Sequence, residues 1–208
     1  MGAGRSAGVA AGLAAVAGAG LIAVAVVRLA GGDGEEPGVV GTTSTAPVEQ
    51  TTTLPGGDPD GYAVVTDETG SITARVPATW RDVSGTSWVT SNIDVGPSLA
   101  ASVDIARWVE EWDTPGVFIG VDGVTMRTVD EVLSDADFEG PCTRVSREPF
   151  SHDGHEGEIE RYAECGSAGS TFVQVAASGS GHLVFLQLVV LDESQIDPVI
   201  TGWSVAPG

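Results

Sequence analysis

The hydrophobic pattern changes twice along the chain and divides it into three parts. From Ser6 to Val27 there are 22 residues without a charge, flanked by Arg5 and Arg28 and showing no polar stripe. A helix of that length, at about 1.5 Å per residue, spans roughly 33 Å, enough for a bilayer core. Residues 1–30 therefore read as a transmembrane anchor, with a signal segment cleaved near the small residues Ala23 and Ala25 as the alternative. Arg5 precedes the span, whereas Arg28 is followed by Asp33, Glu35 and Glu36, so charge asymmetry favours a cytoplasmic N-terminus. Residues 31–60 are dominated by Gly, Pro, Thr and acids and contain no aromatic residue. Such a stretch cannot bury enough surface to offset chain entropy and reads as a disordered linker. From 61 to 208 short alternations and apolar runs follow one another between turn residues, the pattern of one folded domain.

Within that domain Tyr62–Thr66 and Ser71–Val76 read as two strands around an Asp67-Glu68-Thr69-Gly70 turn. A strand is expected over Ala101–Ile105 and a helix over Ile105–Trp112, capped by Asp104, with Ile105, Trp108, Val109 and Trp112 on one face. Val117–Val121 reads as a strand. Thr128 followed by Glu131 is a capping-box pattern that starts a helix over Val129–Ala136. Strands are expected over Thr171–Ala177 and Leu183–Leu191, the latter almost wholly apolar and hence central. A helix over Glu193–Thr201 and a short strand over Trp203–Val205 close the chain.

Asp153-Gly154 lies between two alternating stretches, the signal of a two-residue hairpin turn. A turn there sets Cys142 directly opposite Cys165, Arg147 opposite Glu160 and Thr143 opposite Glu164. Opposed antiparallel positions lie within disulfide reach, so Cys142 and Cys165 are expected to be bonded. Pro149 is the position at which a bulge in this hairpin is expected.

The chain has 208 residues, 29 acids, nine arginines and no lysine, for a net charge of −20. Of these, 23 acids and seven arginines fall within 61–208, so the acidity belongs to the domain. A surface of that sign repels nucleic-acid backbones and anionic headgroups, which excludes nucleic acid as a partner. A disulfide and a membrane segment point together to an extracytoplasmic location.

Several local motifs resemble one family. The Val76-Pro77-x-x-Trp80 corner after the first hairpin, the Cys-to-Cys hairpin, the Cys165-Gly166-x-x-Gly169 run, two long strands and a terminal helix and strand resemble the PsbP-like domains. The likeness is greatest to the extracytoplasmic, LpqN-type members of high-GC Gram-positive bacteria. It implies an α/β, more narrowly α+β, fold with a central antiparallel sheet flanked by helices, acting as a binding or assembly module. No cysteine follows the apolar segment, so the lipid attachment of the lipoprotein members is not expected.

Candidate chemistry is sparse. His152, Asp153, His155 and Glu156 cluster at the hairpin tip, where a two-histidine chelate is conceivable, but exposed turn polarity accounts for them and no metal or cofactor is expected. Glu156, Glu158, Glu160 and Glu164 alternate on one strand and read as a solvated face with Arg144 and Arg147 as counter-charges. No nucleophile motif is present. The expected function is thus a membrane-anchored or secreted binding module of the cell envelope, its partner a protein or a small apolar ligand held near Trp108 and Trp112. A small hydrolase using His182, with Ser180 adjacent in sequence, is the alternative.

Overall fold

Asp67 organises the first hairpin. Strands β1 (Tyr62–Thr66) and β2 (Ile72–Pro77) pair antiparallel. Between them the Asp67 carboxylate accepts the backbone N–H of Thr69 at 3.0 Å and of Ile72 at 2.6 Å, the local bonding that favours Asp in turns. The computed structural model describes residues 58–90, 93–125, 127–136 and 138–206. The membrane segment read at 6–27 and the linker as far as residue 57 lie outside the described residues. Residues 58–60, read as the end of that linker, join the domain: Asp58 donates its N–H to the Tyr62 carbonyl and Arg75 reaches Asp58 and Asp60. No helix among the described residues is long and apolar enough to cross a membrane.

The remaining strands are β3 (Asp82–Ser84), β4 (Ser87–Thr90), β5 (Ile93–Ser102), β6 (Gly116–Asp122), β7 (Thr143–His152), β8 (His155–Cys165), β9 (Ser170–Gly179), β10 (His182–Val190) and β11 (Trp203–Val205). The helices are α1 (Ile105–Glu110), α2 (Val129–Asp135) and α3 (Ile196–Ile200). One sheet has the order β1-β2-β11; the large sheet has the order β3-β5-β6-β10-β9-β8-β7, with β4 also paired to β5. All these pairings are antiparallel. The architecture is β-rich with few, short helices.

Each face of the large sheet is covered. Ile72 and Ala74 of β2, Val199 of α3 and Trp203 of β11 pack with Leu99, Ile119, Val175 and Leu186 on one face. Trp108 of α1 and Val132 and Leu133 of α2 pack with Phe118, Phe172 and Phe185 on the other. Strand β10, between β6 and β9, is consequently buried from Leu183 to Val190. That is why its sequence, Gln187 apart, is an apolar run rather than an alternation.

Both expected helix starts are present. The Asp104 side chain accepts the Arg107 N–H at 3.0 Å, and Thr128 and Glu131 close a reciprocal capping box. Helix α1 ends at Glu110, before Trp112, so the two indoles do not share one stripe. Trp108 is fully buried over Gly116, and Trp112 packs edge-on against Phe138 and Phe172. The expected C-terminal helix is split into a 3₁₀ turn, Glu193–Gln195, and α3. Strands β3 and β4, and the extension of β5 back to Ile93, had no counterpart in the sequence reading.

The β7–β8 hairpin holds the expected register from His152↔His155 to Ser146↔Arg161, with Arg147 opposite Glu160. Pro149 stays in register opposite Glu158, since an outer strand tolerates a residue without an N–H. The slip occurs instead at Val145, an exposed residue lying outside the ladder. Thr143 is therefore paired with Ala163 rather than Glu164, although its hydroxyl still donates to the Glu164 carboxylate at 3.3 Å. Glu164 takes a positive φ of 57° within a second irregularity, between Tyr162 and Cys165. Cys142 and Cys165 nevertheless meet, bonded, with Cα atoms 4.3 Å apart.

The bond spans a sequence separation of 23 residues. Loop-closure entropy assigns it about 3 kcal/mol. Replacing both cysteines by serine is expected to lower the urea midpoint of the domain by the corresponding amount. An unchanged midpoint would show that the closure contributes nothing.

Candidate functional site at the tips of β8 and β10

Two hairpins of the large sheet end at the same place. The β7–β8 turn is Asp153-Gly154, with φ of 49° and 77°, and the β9–β10 turn is Ser180-Gly181, with φ of 52° and 85°. Two successive left-handed residues are the requirement of the tight turn that matches strand twist, and glycine supplies the second in each case. In both hairpins the residue after the glycine is a histidine. The registers His152↔His155 and His182↔Gly179 set these residues in one transverse row at the strand ends. All three histidines of the chain thus lie at one end of the sheet.

Gly179 sits between the two outer members of that row. A Cβ there would lie 2.9 Å from Cδ2 of His155 and 2.5 Å from the Gly154 carbonyl oxygen. Its absence lets the His155 and His182 rings meet over the backbone, Nε2 to Nε2 at 2.9 Å. His155 is buried, and its Nδ1 donates to the Asp153 carbonyl at 3.0 Å. Burial, then the neighbouring His155, lowers the His182 pKa, and the Ser180 backbone offsets part of this. Trp203 walls the group, with its ring centroid 5.4 Å from that of His155 and 4.8 Å from that of His152.

Beside His182 an open cleft of about 400 Å³ is lined by Asp122, Gly123, Arg127 and residues 178–183. Asp122 is buried, accepting the N–H of Val124 at 2.9 Å, the N–H of Thr125 at 2.8 Å and the Thr125 hydroxyl. Burial acts to raise its pKa, but these donors and the charge of Arg127 outweigh it and hold the carboxyl below its ordinary value. Arg127 is itself tied to the Glu131 carbonyl and the Asp135 carboxylate. The cleft therefore combines apolar, small-residue surface with one guanidinium and one imidazole.

The sequence-derived candidates are distributed differently from expectation. His152 and His155 are opposed, but their rings part: Nε2 of His152 bonds the Trp203 carbonyl at 2.8 Å while His155 faces His182. Asp153 contributes its carbonyl, and Glu156 is exposed, so the four tip residues do not converge. Among the described residues no group of three or more His, Cys, Asp or Glu side chains gathers as a metal-ligand set. His182 faces a second imidazole rather than a carboxylate, and Ser180 serves as a turn residue.

The carboxylate strand is not a solvated face along its length. Glu156 and Glu164 are exposed, whereas Glu160 is 1% exposed beneath α2. Its Oε2 accepts the Tyr162 hydroxyl at 2.7 Å and the Gln174 amide at 2.6 Å, and Arg144 and Arg147 approach Oε1 at 3.8 and 3.7 Å. Arg147 also pairs with Glu158 and Asp130. Glu160 is thus the centre of a buried network, which alternation alone could not reveal.

Fold and site together define a disulfide-bonded antiparallel α+β domain with a histidine pair and an open cleft at its strand tips. No protein-family model matches the chain, and no curated protein matches it. Among solved structures the chain is similar to the solution structure of cyanobacterial PsbP (CyanoP) from Synechocystis sp. PCC 6803, with a TM-score of 0.44 and 13% identity, covering 75% of this chain and 99% of that one. A likeness of that extent assigns neither a family nor an activity.

Glu160→Ala removes the acceptor of two buried donors, each worth about 1–3 kcal/mol when left unpaired. A drop of at least about 2 kcal/mol in unfolding free energy is expected, and an unaltered value would refute the network. Asp122 supplies a pH test. Its folded pKa is depressed, so its contribution to stability is complete above about pH 4 and is lost as pH falls through the folded value. Asp122→Asn should flatten the pH dependence of the thermal midpoint below that point; an identical slope would show that the carboxylate is not held.

Proposed function

We propose that residues 61–208 act as a non-catalytic binding module of the cell envelope, an extracytoplasmic PsbP-like domain of the LpqN type. In this reading the apolar segment 6–27 holds the protein in the membrane as a single-pass anchor, and the linker 31–60 carries the domain away from the bilayer. Secretion after cleavage is the variant of the same reading. The observation that carries the location is the buried Cys142–Cys165 disulfide, since such bonds persist in oxidising compartments. The family assignment rests on the motifs around it. Trp80 is buried after the turn in which its N–H bonds the Pro77 carbonyl, and Gly166 and Gly169 both take positive φ between β8 and β9. These residues shape the domain and carry no chemistry.

The cleft beside His182 supports binding as the activity, because it is open and its charged groups are already fixed by neighbours. It is a better seat for a protein or small molecule than Trp108 and Trp112, whose indoles are packed into the core. Fusions of alkaline phosphatase and of green fluorescent protein to the C-terminus test the placement. An active phosphatase with a dark fluorescent fusion is expected, and the reverse result would overturn the reading. N-terminal sequencing of the purified protein separates anchor from secreted form. Esterase or peptidase turnover that disappears in His182→Ala would replace the binding module by a hydrolase.

A further inference from the structure

The two histidines that follow the Asp153-Gly154 and Ser180-Gly181 turns stand at equivalent positions. The His155 ring is hydrogen-bonded to the backbone of the residue two positions before it, the first residue of its own turn. For His155 the partner is a carbonyl oxygen facing Nδ1, so that nitrogen carries the proton and Nε2 of the neutral ring presents a lone pair. The Nε2 of His182 faces the Nε2 of His155 at 2.9 Å. At that distance the two Nε2 atoms share one proton, and a cation that displaces it would be held by both nitrogens.

We infer that His155 and His182 form a two-nitrogen site for a divalent transition-metal ion, with copper(II) preferred. Three observations carry this. The backbone bond on Nδ1 of His155 is the outer-shell arrangement that orients a metal-ligating imidazole and raises its basicity. The spacing selects the metal: two bonds of about 2.05 Å to nitrogens 2.9 Å apart meet at nearly a right angle, whereas a tetrahedral zinc angle needs about 3.3 Å. A right-angled pair of nitrogens is one edge of a tetragonal set, the geometry of copper(II) and nickel(II), and copper(II) is bound most tightly in that series. The mounting is also rigid, because the rings stand on paired strands across Gly179 and are walled by Trp203. The net charge of −16 over residues 61–208 raises the local concentration of cations. His152 is not a member of the set, since its Nε2 is committed to the Trp203 carbonyl. Water completes the coordination. This site is independent of the partner-binding reading and stands whether or not the cleft takes a ligand.

The test is calorimetric titration of the full-length, disulfide-intact protein with copper(II) and, separately, zinc(II), with electron paramagnetic resonance of the copper form. One copper per chain, two-imidazole nitrogen splitting and at least about tenfold weaker zinc are expected. His155→Ala and His182→Ala should each weaken copper by at least about tenfold, and His152→Ala should leave it unchanged. His155 is buried, so nitrogen NMR of the wild-type rings provides a readout independent of any variant's folding: the His155 and His182 signals alone should broaden with the first equivalent. No heat at roughly 0.1 mM copper, zinc binding equal to copper, broadening of His152 first, or affinity untouched in a folded His182→Ala would each overturn the assignment.

Discussion

A sheet covered on both faces forces its polar groups either to satisfy one another or to move to the strand ends. Both outcomes occur here. Across the middle of the sheet, Arg147, Glu160, Gln174 and Gln187 are successive register partners on β7, β8, β9 and β10. The charge sits at the outer strand and the neutral amides lie inward, so the carboxylate of Glu160 is reached by guanidinium from one side and by amide and phenol from the other. A buried carboxylate without such partners would be strongly destabilising. Everything else of chemical interest in the domain lies at the tips, where the cover ends and the turns begin.

Turn geometry and side-chain chemistry are therefore coupled. Each Xaa-Gly turn fixes where its strand starts, and the next side chain is the first to point along the sheet normal. Two such turns, brought side by side by β9, place two imidazoles in one row. A side chain at Gly179 would collide with the His155 ring and the Gly154 carbonyl, so the contact depends on a glycine that is not itself in a turn. Small residues around the same tip, Ser178, Gly181 and Gly123, leave the neighbouring cleft open. Packing, rather than any catalytic motif, produced the recess.

Much of the fold was legible because its signals are local. The Asp67 turn, the Asp104 cap, the Thr128–Glu131 capping box and the Asp153-Gly154 turn each depend on a few adjacent residues, and each formed as read. Strands β3 and β4 were missed because Ser84-Gly85-Thr86 reads as loop, and a strand of three or four residues is defined by its partner rather than by its own periodicity. The slip was placed at Pro149, a residue with a reason to break a ladder, whereas Val145 bulges for no cause visible in the sequence. Half of the histidine pair was legible. Ser180-Gly181-His182 repeats the turn-then-histidine form of Asp153-Gly154-His155, and that repetition was the available signal, but only the registers β8–β9 and β9–β10 bring the two together. The burial of Glu160 was likewise set by what α2 covers, not by the alternation of β8.

The outer hairpin carries the heaviest demand on register. Strand β7 is exposed along most of its length and, among the described residues, has no partner on its far side in the sheet order, the position at which strands fray or pair with other chains. It is tied at three levels: the disulfide at its base, Arg147 to Glu158 and Glu160 in the middle, and His152 to the Trp203 carbonyl at its tip. A one-residue slip turns every side chain of a strand to the opposite face. In β8 such a slip would take His155 away from His182 and carry Glu160 toward the apolar face packed on β2 and β11. The ties on the exposed strand thus fix the position of the buried histidine. The cysteines and the turn call for the same register, so the one-residue shift that Val145 introduces at Arg144 and Thr143 is undone before the disulfide, where Glu164 takes its positive φ.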